Sequence, residues 1–405
     1  MKLAINYRRV DPARGGAETY VADLCRQLVE AGHEVDLYAE SWAPDALPGE
    51  VRRVRVAAEG LTRAGKIWSF AVNSEAALRA ASHDCTVGFI NTWHHDVLIP
   101  QGGVHAASLD ANAGRFPEGW RRSLYKLAKA VNPKAPLYRA IERRQYDPRR
   151  GTRVVAVSEM VRGHLRRYQG VPPDRVDVIP NAIDADRLAL DDPAAARREF
   201  RSKHGLDESQ LVALFVGHNF RLKGLGPLLE ALSLRRRRAP DGRPVHLLVV
   251  GGGNLDPYRG EVRRLGLDGS VKLIGFVDDV RTCYHASDFF VLPTYYDPCS
   301  LVVFEALACG LPVVTTAQNG AGELIAEGVQ GFVVPSPGRV DALADAIDAL
   351  CDDGRRARMS AASARLGREQ SLSNHVARLV EVFRQVAATK RPLTPHARPT
   401  PRLVD

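Results

Sequence analysis

No stretch of this chain has the length and apolarity of a membrane-crossing helix, since no hydrophobic run approaches the ~20 residues that span a bilayer. The opening, MKLAINYRRV, passes straight into a strand without the regions of a secretory leader, so a cytoplasmic location is expected. The six cysteines (Cys25, Cys85, Cys283, Cys299, Cys309, Cys351) include no Cys-x-x-Cys pair, which argues against a zinc site or disulfide framework and for reduced, mostly buried thiols. No internal repeat is evident, and no Asp-x-Asp pair stands at a strand end to hold a divalent metal. What is present is 405 residues, 45% apolar and 25% charged, enough for two domains with substantial cores. A net charge of +9 points to an anionic partner: nucleic acid, phospholipid or a phosphorylated glycan.

The most informative stretch runs from Tyr295 to Glu323. It follows a buried-type strand, Asp288–Pro293, and opens with an acid, Asp297. An apolar, Ala-rich helix carrying Glu305 comes next, stops at Cys309-Gly310, and gives way to a strand from Leu311 to Thr315. Strand, loop, helix, glycine stop and strand make one βαβ unit of a parallel sheet. Such sheets bind ligands beyond the carboxyl ends of their strands, where Asp297, Ser300, Asn319 and Gly320 then lie. Loop amides at a helix start favour an anion and the acids can accept from hydroxyls, which together suggest a nucleotide sugar. The residues alone admit a plainer reading. Asp297-Pro298 also suits an N-cap and first helical position, and Glu305 a solvated helix face.

Asp297, the seven residues after it, Glu305-Ala306 and Gly310-Leu-Pro-Val-Val314 resemble the signature of the retaining glycosyltransferases of family 4. The resemblance implies the GT-B fold, two Rossmann-like α/β domains with parallel sheets facing each other across a cleft. It implies that the first acid contacts the donor sugar and the second the nucleotide ribose; Asp297 stands where the family usually has Glu. Gly15, Gly16 and Glu18 match the family's Gly-Gly-x-Glu segment, where the loop closes over the donor diphosphate. By itself, Gly-Gly before a helix (Glu18–Ala31) is equally a tight turn or a place for amides to approach a phosphate. Asn181, in Ile179-Pro-Asn-Ala-Ile-Asp184, matches a family feature near the interdomain cleft.

In the second half, the strand Leu211–Gly217 leads into a cationic loop, His218-Asn-Phe-Arg221-Leu-Lys223-Gly224. Lys223, just before a glycine and a helix start, suits a diphosphate leaving group. The family usually carries Arg directly after Gly217; here that residue is His218, and Arg221 is expected to supply the charge. The family's base-holding loop carries over to Phe276 and Val277, and the helix start at Cys299, Ser300 and Leu301 faces the diphosphate.

On the acceptor side, Asn91–Asp96 follows the expected strand Thr86–Ile90. Asp96 is the candidate to take the acceptor hydroxyl's proton or to orient the acceptor, with a plain surface loop as the alternative. Adjacent loop histidines rarely converge, which argues against a metal on His94, His95 and Asp96. From Arg115 onward the chain turns basic: Arg121, Arg122, Lys126, Lys129, Lys134, Arg139, Arg143, Arg144, Arg149 and Arg150 face only Glu118, Glu142 and Asp147. Trp120, Leu124, Tyr125, Leu127, Leu137 and Tyr138 are interleaved, a pattern suited to lying on an anionic membrane through segment 115–150. A solvated helix pair over the sheet is the alternative; nucleic acid is not expected, since no recognition module is visible.

The expected organisation is an acceptor-binding domain 1–184, a donor-binding domain 185–372 entered through a polar linker (185–204), a helix 373–387 that packs back on the first domain, and a basic Pro-rich tail 388–405, disordered by composition. The resemblance implies transfer of a sugar, with retention and without a metal or other cofactor, from a nucleotide sugar to a hydroxyl. Glu40-Ser41-Trp42 and the basic segment are similar to family members acting on lipopolysaccharide core. UDP-glucose and a cell-envelope glycan or glycolipid are therefore the expected substrates, and the inner face of the cytoplasmic membrane the expected site of action. GDP-mannose with an exopolysaccharide acceptor, a GT-B epimerase, and a non-catalytic nucleotide- or polyanion-binding protein are the alternatives.

Overall fold

The structure is a computed structural model that describes residues 1–116, 119–130 and 135–390. Glu118 and Lys134 of the basic segment, and positions 391–405 of the expected tail, lie outside the described residues.

The first half contributes strands β1 (Lys2–Asn6), β2 (Arg9–Val10), β3 (Glu34–Ala39), β4 (Ser41–Trp42), β5 (Arg52–Arg55), β6 (Cys85–Gly88), β7 (Val97–Leu98), β8 (Arg153–Ala156) and β9 (Val176–Val178). Strands β2 and β4 pair with each other, and the rest form a seven-stranded sheet in the order β5-β3-β1-β6-β7-β8-β9. The second half contributes β10 (Leu211–Val216), β11 (Val245–Val250), β12 (Val271–Gly275), β13 (Phe289–Leu292), β14 (Val313–Thr316) and β15 (Gly331–Val334), a six-stranded sheet in the order β12-β11-β10-β13-β14-β15. The pairings described in both sheets are parallel. That is why Leu211–Val216 and Phe289–Leu292 are apolar without alternation: helices cover both faces, so every side chain but the half-buried Val216 is buried.

Helix α1 (Gly16–Glu30) starts directly after Gly15 and buries Val21, Leu24, Cys25 and Leu28, the expected face. Helix α2 (Arg63–Arg79) begins three residues before the expected Lys66, because Thr62 Oγ1 accepts from the Gly65 amide and caps it. The stretch expected as a polar linker is mostly structured. Within it the helix Pro193–Lys203 buries Arg201, whose guanidinium donates to the Ala286 carbonyl at 2.9 Å and to Asp288 at 2.9 Å. The two-residue strand β7 carries too few residues for a periodic signal, yet it sits inside the first sheet.

The helix Leu372–Thr389 returns to the first domain. His375 bridges Tyr20 Oη and the Pro180 carbonyl, both at 2.8 Å, and Arg378 donates to the Val178 carbonyl at 3.0 Å. Past the helix, Lys390 reaches Asp96 at 2.6 Å.

Candidate active site

The loop from Tyr296 to Leu301 enters the space between the sheets and is held there by residues of the first domain. Ser158 Oγ donates to the Pro298 carbonyl at 2.8 Å, Asn181 Nδ2 to the Cys299 carbonyl at 2.9 Å, and the Val104 amide to Tyr296 Oη at 3.1 Å. Asn181 is oriented by a paired amide contact with Gln101. Gly320 allows the approach: a Cβ there would stand 1.9 Å from the Pro298 carbonyl oxygen. Glu323 completes the junction by accepting from the amides of Glu159 and Met160 at 2.8 and 2.7 Å, capping the helix Glu159–His164 from the opposite domain.

This docking brings two helix starts together. A Cβ on Gly16, at the head of α1, would lie 3.2 Å from Leu301 Cδ1, at the head of the helix Leu301–Ala308. Neither Gly15 nor Ser300 caps its helix with a side chain, so the leading amides of the two helices, at Gly16 and Leu301, remain open to a ligand. Gly15, at φ +157°, has the backbone conformation that favours glycine. The Ser300 amide is steadied by Asn319 Oδ1 at 3.3 Å, which also accepts from the Ala321 amide at 3.2 Å. Two positive helix ends, one from each domain, make an anion site.

Lys223 Nζ is paired with Asp297 Oδ2, a contact between the turn after β10 and the loop after β13. Asp297 is buried, and its register is set by the bridge to Asn319, with its amide donating to the Gln318 carbonyl at 2.9 Å. The structure thus places a cation and a buried sugar-contact candidate side by side. Glu305 projects from the helix Leu301–Ala308 and accepts from Tyr284 Oη at 2.6 Å. Burial pushes its carboxyl above the usual range, a shift opposed by the tyrosine hydrogen bond and by Arg187. Glu18, in the first turn of α1, is likewise pushed up by burial.

The remaining candidates are placed as follows. Gly252 stands between His218 and Phe276: a Cβ on it would meet the His218 ring at 3.3 Å and the Phe276 ring at 3.9 Å. Phe276, 64% exposed, offers its ring to a flat ligand, and Val277 is half-buried beside it. Arg221 is exposed and, with His218, lines a cavity of about 720 Å³ shared with Arg115, Tyr258 and Tyr295.

Asp96 is not brought to this site. It precedes β7 and lies toward the amino end of the sheet, level with Thr86, whereas ligands bind beyond the carboxyl ends. There Oδ2 accepts from the Thr86 amide and hydroxyl, both at 2.7 Å, and pairs with Lys390, so the geometry assigns it a structural role. The sequence misled because the loop reverses direction before Asp96, leaving only Ile90 and Asn91 at the carboxyl end. Asp184 and Asp186 do have the Asp-x-Asp spacing, but Asp184 accepts from the Asp186 amide to cap a short turn. Among the described residues, no group of three or more His, Cys, Asp and Glu side chains is gathered for a metal ion.

Sequence reasoning missed Tyr284, Gln101 and Glu323. Tyr284 carried a faint signal, a tyrosine in an otherwise ordinary helix; Glu323 acts only across the domain junction, and Gln101 acts through Asn181, 80 residues away.

Comparison with known proteins agrees with this geometry. Residues 14–187 match the model described as Glycosyltransferase Family 4, and residues 196–366 that described as Glycosyl transferases group 1. A probable transglycosylase of Burkholderia thailandensis is 32% identical over 93% of this chain and 95% of its own. The lipopolysaccharide glucosyltransferase WaaG of Escherichia coli is 25% identical over 80% of this chain and 82% of its own. A crystal structure of WaaG superposes with a TM-score of 0.77, covering 94% of this chain and 99% of that one at 22% identity. Anabaena HepE in complex with UDP-glucose gives 0.69, covering 95% and 100% at 18% identity.

Proposed function

The chain belongs to the family 4 glycosyltransferases and has their GT-B fold, and from that premise we propose that it transfers glucose from UDP-glucose, with retention and without a metal, to a hydroxyl of a cell-envelope glycan or glycolipid such as lipopolysaccharide core. The observation that carries the reading is the meeting of two uncapped helix starts at Gly16 and Leu301, beside the Lys223–Asp297 pair. The names of the relatives support donor and acceptor class: WaaG is a lipopolysaccharide glucosyltransferase, and HepE binds UDP-glucose.

In this reading the diphosphate lies against the amides at Gly15–Gly16 and Leu301. As the glycosidic bond breaks, negative charge grows on the leaving oxygen. The helix starts and Lys223 stabilise it in place of a divalent ion, with Arg221 adding charge from the same loop. Asp297 Oδ1, left free by the pairing at Oδ2, accepts from the sugar hydroxyls. Glu305 accepts from the ribose, with Tyr284 orienting its carboxylate. His218, Phe276 and Val277 form the base end. Asn181 keeps the Cys299 carbonyl turned away, so that the neighbouring amides face the ligand. No double-displacement nucleophile is evident among the described residues, so in this reading the acceptor attacks from the face the diphosphate leaves, and the diphosphate takes the acceptor's proton.

The basic segment supports peripheral membrane association. Trp120, Leu124 and Leu127 are 70%, 53% and 60% exposed and fall at i, i+4 and i+7 of the helix Trp120–Ala130, flanked by Arg121, Arg122, Lys126 and Lys129. No described helix is long and apolar enough to cross a membrane.

Calorimetry against UDP-, GDP- and ADP-sugars, on wild type and Glu305→Ala, tests the reading. Binding of UDP-glucose that the substitution weakens is expected. Absence of binding by every donor, or indifference to the substitution, would overturn it. The anomeric configuration of the product by NMR, and turnover with EDTA present, test retention and metal independence.

A further inference from the structure

A cavity of about 580 Å³ opens at the carboxyl ends of β1 and β6, next to the head of α1. Its size suits a phosphorylated monosaccharide. Arg8, Arg9, Arg14, Arg63 and Lys66 line it, against one lining carboxylate, Glu18. Glu40 neutralises part of that charge from beneath, contacting Arg8 at 3.0 Å and Arg9 at 2.9 Å. The side chains of Arg14, Arg63 and Lys66 make no hydrogen bond or close ion pair among the described residues; Arg14 interacts with Glu18 and Lys66 with Glu40 at longer range, so five cations stand against two acids around the cavity.

Their position is unusual on physical grounds. Arg63 and Lys66 occupy the first turn of α2, which contains no acid. The positive end of a helix dipole ordinarily attracts carboxylates and repels cations, so this arrangement becomes favourable once an anion sits among them. The Arg8 guanidinium shows the same excess: it is held below its ordinary value first by burial, then by Arg9, with Arg63 and Arg14 adding to the effect. Asn91, at φ +65°, turns the chain after β6 and stands in the cavity wall beside Ile90.

We propose that this cavity is the acceptor subsite and that the acceptor carries a phosphate group, held by Arg14, Arg63 and Lys66 beside the donor loop. The inference rests on the glycosyltransferase reading and adds the chemical class of the acceptor. Arg63 and Lys66 recognise the phosphate, while Arg14, next to Gly15, lies between that phosphate and the donor diphosphate.

Saturation-transfer and phosphorus NMR would compare glucose 6-phosphate, mannose 6-phosphate and inositol phosphate with their uncharged parents, on wild type and an Arg63→Gln/Lys66→Gln double variant, with UDP affinity measured in parallel. Expected are binding of at least one phosphorylated compound at least tenfold tighter than its parent, loss of that preference in the double variant, and UDP affinity within twofold of wild type. If no phosphorylated compound is preferred, the proposal fails. If instead the double variant loses UDP affinity, the cations serve the donor diphosphate and the proposal also fails. Failure of wild type to bind any UDP-sugar, with the phosphate preference intact, would refute the glycosyltransferase reading and leave the anion site standing. A melting temperature unchanged in the double variant shows that any loss is not unfolding, since Thr62 still caps α2.

Discussion

At the scale of single residues, Lys223 and Glu305 carry opposite electrostatic assignments. In the proposed mechanism Lys223 meets charge that grows in the transition state, so Lys223→Ala is expected to lower kcat by about 10²–10³-fold, as removal of one such donor does elsewhere, with a smaller change in donor KM. Steady-state kinetics check this. In the same proposal Glu305 binds a neutral ribose in ground and transition states alike. Glu305→Gln is therefore expected to raise the donor Kd by about tenfold or more, the worth of a hydrogen bond to a charged group, with kcat changing less. The same substitution carries a stability signature. Because burial raises the Glu305 pKa in the folded protein, its ionised form opposes folding at neutral pH and ceases to do so as pH falls through the folded value. The Gln variant should melt no lower than wild type at pH 7, and any advantage should shrink on acidification, as calorimetric scans would show. Asp297 and Glu305 were both legible in the sequence because their spacing from the Gly310 stop is local. Their partners, Lys223 and Tyr284, lie 74 and 21 residues away, and only folding brings them together.

At the scale of elements, the helix Trp120–Ala130 is the outlier. Most amphipathic helices of the chain bury their apolar face, whereas this one leaves Trp120, Leu124 and Leu127 in solvent. The adjacent cations are partly engaged within the protein: Lys126 pairs with Asp110 at 2.8 Å, and Arg121 stacks over Trp120. A Trp120→Ser/Leu124→Ser/Leu127→Ser variant is expected to lose most binding to vesicles containing anionic lipid in co-sedimentation, while turnover of a water-soluble acceptor stays within about twofold. Binding by wild type should weaken as salt rises, since each cation contributes about 1 kcal/mol through a screened potential. The alternation of cations and apolar residues was plain in the sequence. That the apolar face finds no partner among the described elements was not, because periodicity marks a face without saying what covers it.

At the scale of the whole molecule, the C-terminal helix ties the chain's end to its beginning. His375, fully enclosed between Tyr20 and the Pro180 carbonyl, is driven by burial from an ordinary 6.5 to about 4, with Arg378 adding to the effect. It therefore folds neutral. The associated stability is complete above pH 6.5 and is lost as pH falls toward 4, at up to about 1.4 kcal/mol per pH unit for one proton. His95, also buried and lowered to about 4, adds a second contribution of the same sign. His375→Asn is expected to melt lower than wild type at pH 7 yet to lose stability with about one proton less dependence between pH 6.5 and 4, measured by denaturant titration across that range.

The α/β architecture was readable from local pattern, because continuous apolar strands alternating with glycine-stopped helices suit a parallel sheet covered on both faces. The sequence also marked Asp297, Glu305 and Lys223 as candidates, through motif spacings that are short and local. Only the tertiary structure decided which groups face the cleft. Asp96 went to the amino end of the sheet because its loop reverses direction, Glu323 became a cap for a helix in the other domain, and Arg14 came to line one cavity with Arg63 and Lys66, some fifty residues further along the chain. The physical reason is reach. Local sequence sets dihedral angles and faces, whereas the meeting of charges separated by tens of residues depends on how strands order themselves in a sheet and how two domains close.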